Sequence, residues 1–443
     1  MHVLPELEAL EAEFPEYLVV VGVHSAKFPN EREADSLREA VERHHLTHPV
    51  VNDAEFRIWQ AYGVHAWPTL VLIDPEGYAV GAVSGEGHRP MLSQVIAGLI
   101  AEHRAKGTLR EGRPFLLRRS AAPAEGLLAY PGKVLADAAG SRLFIADTGH
   151  HRILIAEQTG TILAVAGTGE VGDEDGPFDR ARFHHPHGLA SDGEGVYVAD
   201  TGNHRIRRLD LRARTVETVA GSGKPALGPG GPGRGRGVDL NSPWDLVLHN
   251  GRLYIAMAGC HQIWAMELRG AALAPFAGSG REELRDGPRL LAGLNQPSGL
   301  ATDGRVLYVA DSEASAIRTV ELREEGRVTT LVGEGLFEFG DVDGTGRGVR
   351  LQHPLGVAVL DGTIYIADTY NHKVKVLYPA LGSVQTLFGT GKPGRELGAA
   401  AAFFEPGGLS AVPGRLFIAD TNNHRVCVAD LNAATVAEVP LRA

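Results

Sequence analysis

Cysteine is almost absent from this chain of 443 residues: there are two, Cys260 and Cys427. No Cys-x-x-Cys occurs, so the sequence carries no dithiol for thiol–disulfide exchange. The two thiols are far apart in sequence and read as separate buried side chains. That usage fits a reducing, cytoplasmic compartment. Basic residues are in deficit, with 43 Lys and Arg against 54 Asp and Glu and a formal net charge of −11. No basic run offsets this, which argues against a nucleic-acid partner. No apolar run reaches the length of a membrane span, so no membrane partner is expected. The opening residues Met1, His2 and Val3 lead into an acidic helix and do not read as a signal peptide.

Glycine is plentiful at 56 residues, which suits a chain of many turns. A short apolar strand followed by Asp-Thr-x-Asn-His and a basic residue recurs along the chain. The clearest copies end in Asp147, Asp200, Asp368 and Asp420, and two looser ones end in Met257 and Asp311. The steps between the six are 53, 57, 54, 57 and 52 residues. A repeat of that length built from strand signals means a propeller or a solenoid. In the second unit an inner strand follows Pro186 and a second runs over 196–200. A third runs over 206–211 and a fourth over 215–220. Four strands per unit, with inner strands opening at Pro131, Pro186, Pro243, Pro297, Pro354 and Pro406, predict a six-bladed all-β propeller over 130–443. The copies Asn203-His204, Asn371-His372 and Asn423-His424 resemble NHL repeats, and the resemblance covers all six units.

Residues 1–107 are not repeats. Helical spacing over 4–14 is followed by an apolar run, Leu18 to Val23, that reads as a buried parallel strand. A helix over 31–45, a short strand near Val50 and a helix over 55–62 capped by Asp53 come next. A strand over 67–73, a turn at Asp74 to Gly77, a partner strand over 78–84 and a helix over 91–104 complete the unit. This order, with Trp67, Pro68 and Thr69, resembles the thioredoxin-like class. Residues 108–129 read as a linker, and Arg113 to Arg119 within it as a strand able to close the propeller ring. The two parts together resemble the thioredoxin-like, NHL-repeat proteins. In that class the proline matching Pro68 is cis and faces the Cys-x-x-Cys disulfide, and the resemblance implies that Trp67, Pro68 and Thr69 form a binding groove. Pro5 matches the proline that follows the motif, which places the cysteines just ahead of Met1. The domain therefore reads as N-terminally incomplete, from a start codon assigned too late in the favoured reading or from a genuine loss of the motif in the other.

Function classes follow from the site residues. A set repeated in every blade does one local job each time, so the Asp, Asn and His of the turns read as structural. Function is expected where the pattern breaks: at Met257, Cys260 and Gln262 in blade three, and at Glu313, Ala314 and Ser315 in blade four. It is also expected at the channel mouth, where Lys133, His187, Trp244, Asp245 and Ser298 open the inner strands and offer groups for a polar ligand or a peptide turn. His184, His185 and His187 look like metal ligands by composition only. Asp341 to Gly346 reads as a turn, not a calcium loop, so no metal and no cofactor are expected. The leading reading is a protein-interaction scaffold with an unnamed protein partner. A thiol–disulfide oxidoreductase whose dithiol lies upstream is the alternative. A propeller hydrolase or lyase is the third.

Overall fold

The computed structural model describes residues 3–112, 126–137, 141–226 and 228–442. The chain divides into two compact units, Met1–Ala122 and Pro123–Ala443.

The first unit is α/β, with helices α1 Val3–Glu13, α2 Ala34–Arg43, α3 Arg57–Ala61 and α4 Arg89–Lys106. Its strands are β1 Gly22–His24, β2 Val50–Asn52, β3 Thr69–Ile73 and β4 Ala79–Ser84. Local chemistry sets several boundaries. The Asp53 carboxylate accepts the N–H groups of Ile58 and Trp59 at 3.0 and 2.9 Å, which caps α3. Burial works to raise this carboxyl, and the N–H donors outweigh it and hold it below the usual range. Asp74 accepts from Glu76 and Tyr78 and closes the turn between β3 and β4. Leu10 of α1 packs with Leu92 and Ile96 of α4, and Leu18, Leu70 and Leu72 join them.

The strands form two separate pairs, β1 with β2 parallel and β3 with β4 antiparallel. The run Leu18 to Val23 is less enclosed than its composition predicts, since Val19, Val21 and Val23 are exposed. The cause is topological: among the described residues β1 has a ladder partner on one side only, and its valine face is uncovered.

The second unit is a six-bladed propeller. Each blade contributes an antiparallel four-stranded sheet in chain order, and blades two to five gain a two-residue fifth strand from the preceding loop. In blade two the strands are Pro186–Ser191, Gly195–Asp200, Arg205–Asp210 and Thr215–Ala220. Their residues are apolar on both faces because both faces are covered. Val196 and Val198 pack towards blade one, and Tyr197 and Ala199 pack towards blade three. Six apolar clusters fill the six gaps between neighbouring blades.

Among the described residues, blade one draws its sheet from 133–166 and blade six from 406–438. The final residues brace the join, with Arg442 bonded through its backbone to Gly160 and Ile162 at 2.9 and 2.8 Å. The expected closing strand at Arg113 to Arg119 lies outside the described residues.

Candidate functional site

The repeated turns are the natural place to look for chemistry, and their aspartate, hydroxyl, asparagine and histidine groups are engaged in the fold. The start of each inner strand lies beside the end of the second strand, as Pro186 does beside Asp200. At that end the turn histidine reaches the next blade. Its Nδ1 accepts the backbone N–H of the residue just before the next blade's proline. The pairs are His151 with His185, His204 with Ser242, His261 with Gln296, His372 with Glu405 and His424 with Tyr130, at 3.1–3.2 Å. Blade four uses the Ser315 hydroxyl on His353 instead, at 3.1 Å. An accepting Nδ1 requires a neutral ring. Burial pushes His372 down to about 4, and lowers His424 as well.

The hydroxyl after the aspartate makes a second staple. Thr148, Thr201, Ser312, Thr369 and Thr421 donate to the carbonyls of Pro186, Pro243, Pro354, Pro406 and Pro131 at 2.6–2.9 Å. The aspartate holds its own blade. Asp147, Asp200, Asp311, Asp368 and Asp420 accept the backbone N–H of Ala129, His184, Asn295, Gln352 and Phe404. The motif asparagine joins this carboxylate to the interblade loop, as Asn203 does with Asp200 at 2.8 Å and the Gly172 carbonyl at 2.7 Å. The histidine and hydroxyl of the repeat thus join neighbouring blades, and the aspartate and asparagine hold the blade and its loop.

These aspartates are fully buried, so each needs a cation. In blades one and six Arg152 and Arg425 supply it at 2.8 Å. In blades two, four and five it is Arg207, Arg318 and Lys375, all wholly enclosed. Burial raises Asp200 and Asp368 to about 6 against the pull of these cations. Each of the three also reaches an Asp-Gly turn in the preceding loop: Asp175, Asp286 or Asp343. Asp341 and Asp343 thus have the Lys375 ammonium between them, at 2.8 and 3.1 Å, where a metal ion would otherwise sit. Sequence reasoning overlooked this second cation. A constant separation of 32 residues between Asp and its partner was the signal, in 175/207, 286/318 and 343/375.

Of the pattern breaks, Met257, Cys260, Gln262, Ala314 and Ser315 are buried, and Glu313 is partly open to solvent. Blade three has replaced charge by packing: Trp264 fills the cation's place, its Nε1 donates to Gln262 at 2.9 Å, and Gln262 donates to the Gly278 carbonyl at 3.1 Å. Burial pushes both thiols, Cys260 and Cys427, up to about 12, so neither is a nucleophile at neutral pH.

The channel mouth brings Lys133, His187, Trp244, Asp245 and Ser298 together, with Leu355 and Gly407. The Lys133 ammonium meets Asp245 at 2.6 Å across the ring, and both are buried. Asp245 also accepts the Leu300 N–H at 2.9 Å. The Ser298 hydroxyl lies 3.1 Å from the Gln296 carbonyl and 2.7 Å from the Ser312 hydroxyl. His187 stacks on Trp244 with ring centres 4.1 Å apart. The space left is about 10 Å3, room for a single water. His187 and Trp244 remain partly open to solvent, and the ion pair beneath them is a plug.

In the first unit Trp67–Pro68 is cis, as the thioredoxin-like resemblance implies. The Trp67 indole donates to the Ser25 carbonyl at 2.7 Å and lies against Trp59 at 4.5 Å, with nearly half of its surface open. Thr69 bonds the Ala66 carbonyl and the Ser84 hydroxyl. The three form a shelf beside β3. No helix among the described residues is long and apolar enough to cross a membrane.

The NHL repeat model matches residues 183–209 and 351–377. The chain is 42% identical over 481 aligned residues to NHL repeat-containing protein 2 of Bos taurus, covering all of this chain and 66% of that protein. It is 41% identical to the protein SUPPRESSOR OF QUENCHING 1, chloroplastic, of Arabidopsis thaliana, over 99% of this chain and 44% of that one. The chain thus spans somewhat under two thirds of the curated relatives it matches. Among solved structures, a gluconolactonase of Xanthomonas campestris aligns over 71% of this chain and 87% of its own, at 16% identity and a TM-score of 0.45. With the repeat in register around the ring and these relatives spanning its length, the chain belongs to the NHL-repeat family as a homologue of NHL repeat-containing protein 2.

Proposed function

We propose that this protein is a protein-interaction scaffold whose propeller carries the binding surface. One observation carries the reading: the loops between blades hold large apolar residues out to solvent. Val171, Leu290, Leu291, Phe337 and Leu397 are all exposed, and Phe337 is 66% so. Such residues on linking loops cost solubility and suit a partner surface. Polar groups that would otherwise suggest catalysis are committed to the fold. The mouth candidates divide accordingly: His187 and Trp244 are available for contact, and Lys133, Asp245 and Ser298 support them. The two unpaired, buried thiols fit a reducing cytoplasm.

The test places a photocrosslinking residue at Phe337 in cells of the source organism. The scaffold reading expects discrete crosslinked proteins, lost when Leu290 and Leu291 are both changed to Lys. An unchanged crosslink pattern in that variant, or none at any loop position, overturns it.

A second reading has its own observation. In the first unit β1 and β3 each have an edge without a ladder partner, and the shelf of Trp67, Pro68 and Thr69 lies beside β3. A thioredoxin-like oxidoreductase would add a strand there and a dithiol facing the shelf. The intact mass and thiol count of protein from the native source test it. Two fast-reacting thiols beyond Cys260 and Cys427 favour the redox reading, and a mass matching Met1 onward rejects it.

A further inference from the structure

A cleft of about 670 Å3 opens between blades three and four, at the strand ends remote from the Asp-Thr turns. That size suits a small organic ligand. One wall is the turn at His249 and Asn250 of blade three, and the other is the turn at Gly304 and Arg305 of blade four. The floor is rigid and aromatic. Tyr254 is 5.0 Å from Phe276, edge to face, and Arg289 lies over the other ring at 4.1 Å. Arg289 is itself fixed by the carbonyls of Glu321 and Glu324, at 3.2 and 2.7 Å.

Three guanidinium groups line this cleft: Arg252, Arg305 and Arg323. Arg252 is held by Glu267 through Nε at 2.7 Å, and Arg323 by Glu321 at 2.9 Å. Arg305 is exposed and has no carboxylate partner among the described residues. Arg305 is thus the lining arginine without an ion pair; the nearby Asp303 carboxylate takes the N–H groups of Arg305 and Val306 and the Tyr308 hydroxyl. The fold does not demand an arginine there: in blade two Asp192 stands as Asp303 does, and Glu194 stands where Arg305 does.

The geometry points to a binding site for a small organic anion, a carboxylate or a phosphate ester with an aromatic or aliphatic body, held by Arg305 and seated on Tyr254 and Leu322. A planar guanidinium with no partner offers two parallel N–H donors to such a head group. Arg252 and Arg323 keep outer donors beside it, already oriented by their own carboxylates. Tyr254, Val306 and Leu322 supply the apolar contact. The site is independent of the loop surface proposed above, since neither Phe337 nor Leu291 lines it.

Isothermal titration of the full chain tests this, with benzoate, phenyl phosphate and neutral benzyl alcohol as probes. One of the two anions is expected to bind one to one, and their order tells carboxylate from phosphate. Arg305→Glu is expected to weaken that binding by tenfold or more. Arg212→Glu, an exposed arginine of blade two, makes the same change in net charge and leaves binding unchanged. Absence of binding by both anions, equal binding of benzyl alcohol, or equal weakening by the two substitutions each overturns the proposal. Thermal unfolding of Arg305→Glu checks that it folds, as its exposed position predicts.

Discussion

Blade three and blade two solve one packing problem in opposite ways. In blade two Asp200 is fully buried and held by Arg207, which also reaches Asp175 at 2.9 Å. In blade three Met257 stands where Asp200 does, and Trp264 stands where Arg207 does. Both are enclosed, and the only polar atom Trp264 brings is satisfied by Gln262. The loop has adapted too. Blade two's loop supplies Asp175, whereas blade three's loop passes Trp264 at Gly230, where an added Cβ would lie 2.9 Å from the indole. The ring therefore does not need the ion pair at this point. It needs the volume filled and every buried polar atom paired.

That comparison breaks most sharply if one half of a pair is removed. Arg207→Met leaves Asp200 buried without its cation, and a loss of about 3–5 kcal/mol is expected. Asp200→Met added to it imitates blade three, and part of the loss should return, since the His184 N–H and Asn203 lose their acceptor. Asp175 remains half in solvent and is still met by Arg236 at 3.0 Å. Calorimetric melting of the single and double variants decides the matter. A double variant as unstable as the single one would show that the charge itself is required.

The interblade histidine extends the comparison to blades four and five. His372 is neutral, with its pKa lowered by burial to about 4, against about 6.5 for an unfolded chain. A depressed histidine contributes stability that is whole above pH 6.5 and is lost as the pH falls towards 4. The span is worth at most about 3 kcal/mol, and protonation also removes the acceptor for Glu405 N–H. Asp200 and Asp368, raised to about 6 by burial, act in the opposite sense over the same window. A difference measurement separates them. His372→Ser copies the hydroxyl staple of Ser315 in blade four and carries no titrating ring. The acid-induced drop in melting temperature should be shallower in His372→Ser than in the parent chain. A gap between the two that stays constant from pH 7 to 4 would rule out this histidine as a source of acid sensitivity.

The ring was legible because its signal is periodic. Six copies in register, with a proline opening each inner strand, fix blade number and strand order, and assign the turn residues a structural task. The mouth residues were legible for the same reason, since equivalent positions of a ring must converge. What escaped was chemistry that crosses the repeat. Arg207 and Asp175 are 32 residues apart in different elements, and neither belongs to the turn motif. Met257 and Cys260 stood out as departures, but a departure in sequence does not say whether the side chain faces water. In the first unit the apolar run at Leu18 to Val23 suggested burial, because composition reports the strand and not its neighbours.

The smallest effect concerns the one gap in the ring of hydroxyl staples. Five blades donate from Thr or Ser to the next blade's proline carbonyl, at 2.6–2.9 Å. Blade three has Ala258, which has no hydroxyl to give to Pro297. Its link to blade four keeps the other staple, from His261 to the Gln296 N–H at 3.2 Å. Ala258→Ser supplies the donor that Ser312 supplies in blade four, at the same point of an equivalent turn. A net gain of about 0.5–1.5 kcal/mol is expected, the usual worth of one such bond. Serine is the right choice over threonine because Ala258 is fully enclosed and a further methyl group would crowd its neighbours. A rise in melting temperature means that blade three differs from its neighbours only in what it lacks. A fall means that the core around Met257 and Trp264 has closed over the position, so that the apolar solution and the hydroxyl staple exclude one another.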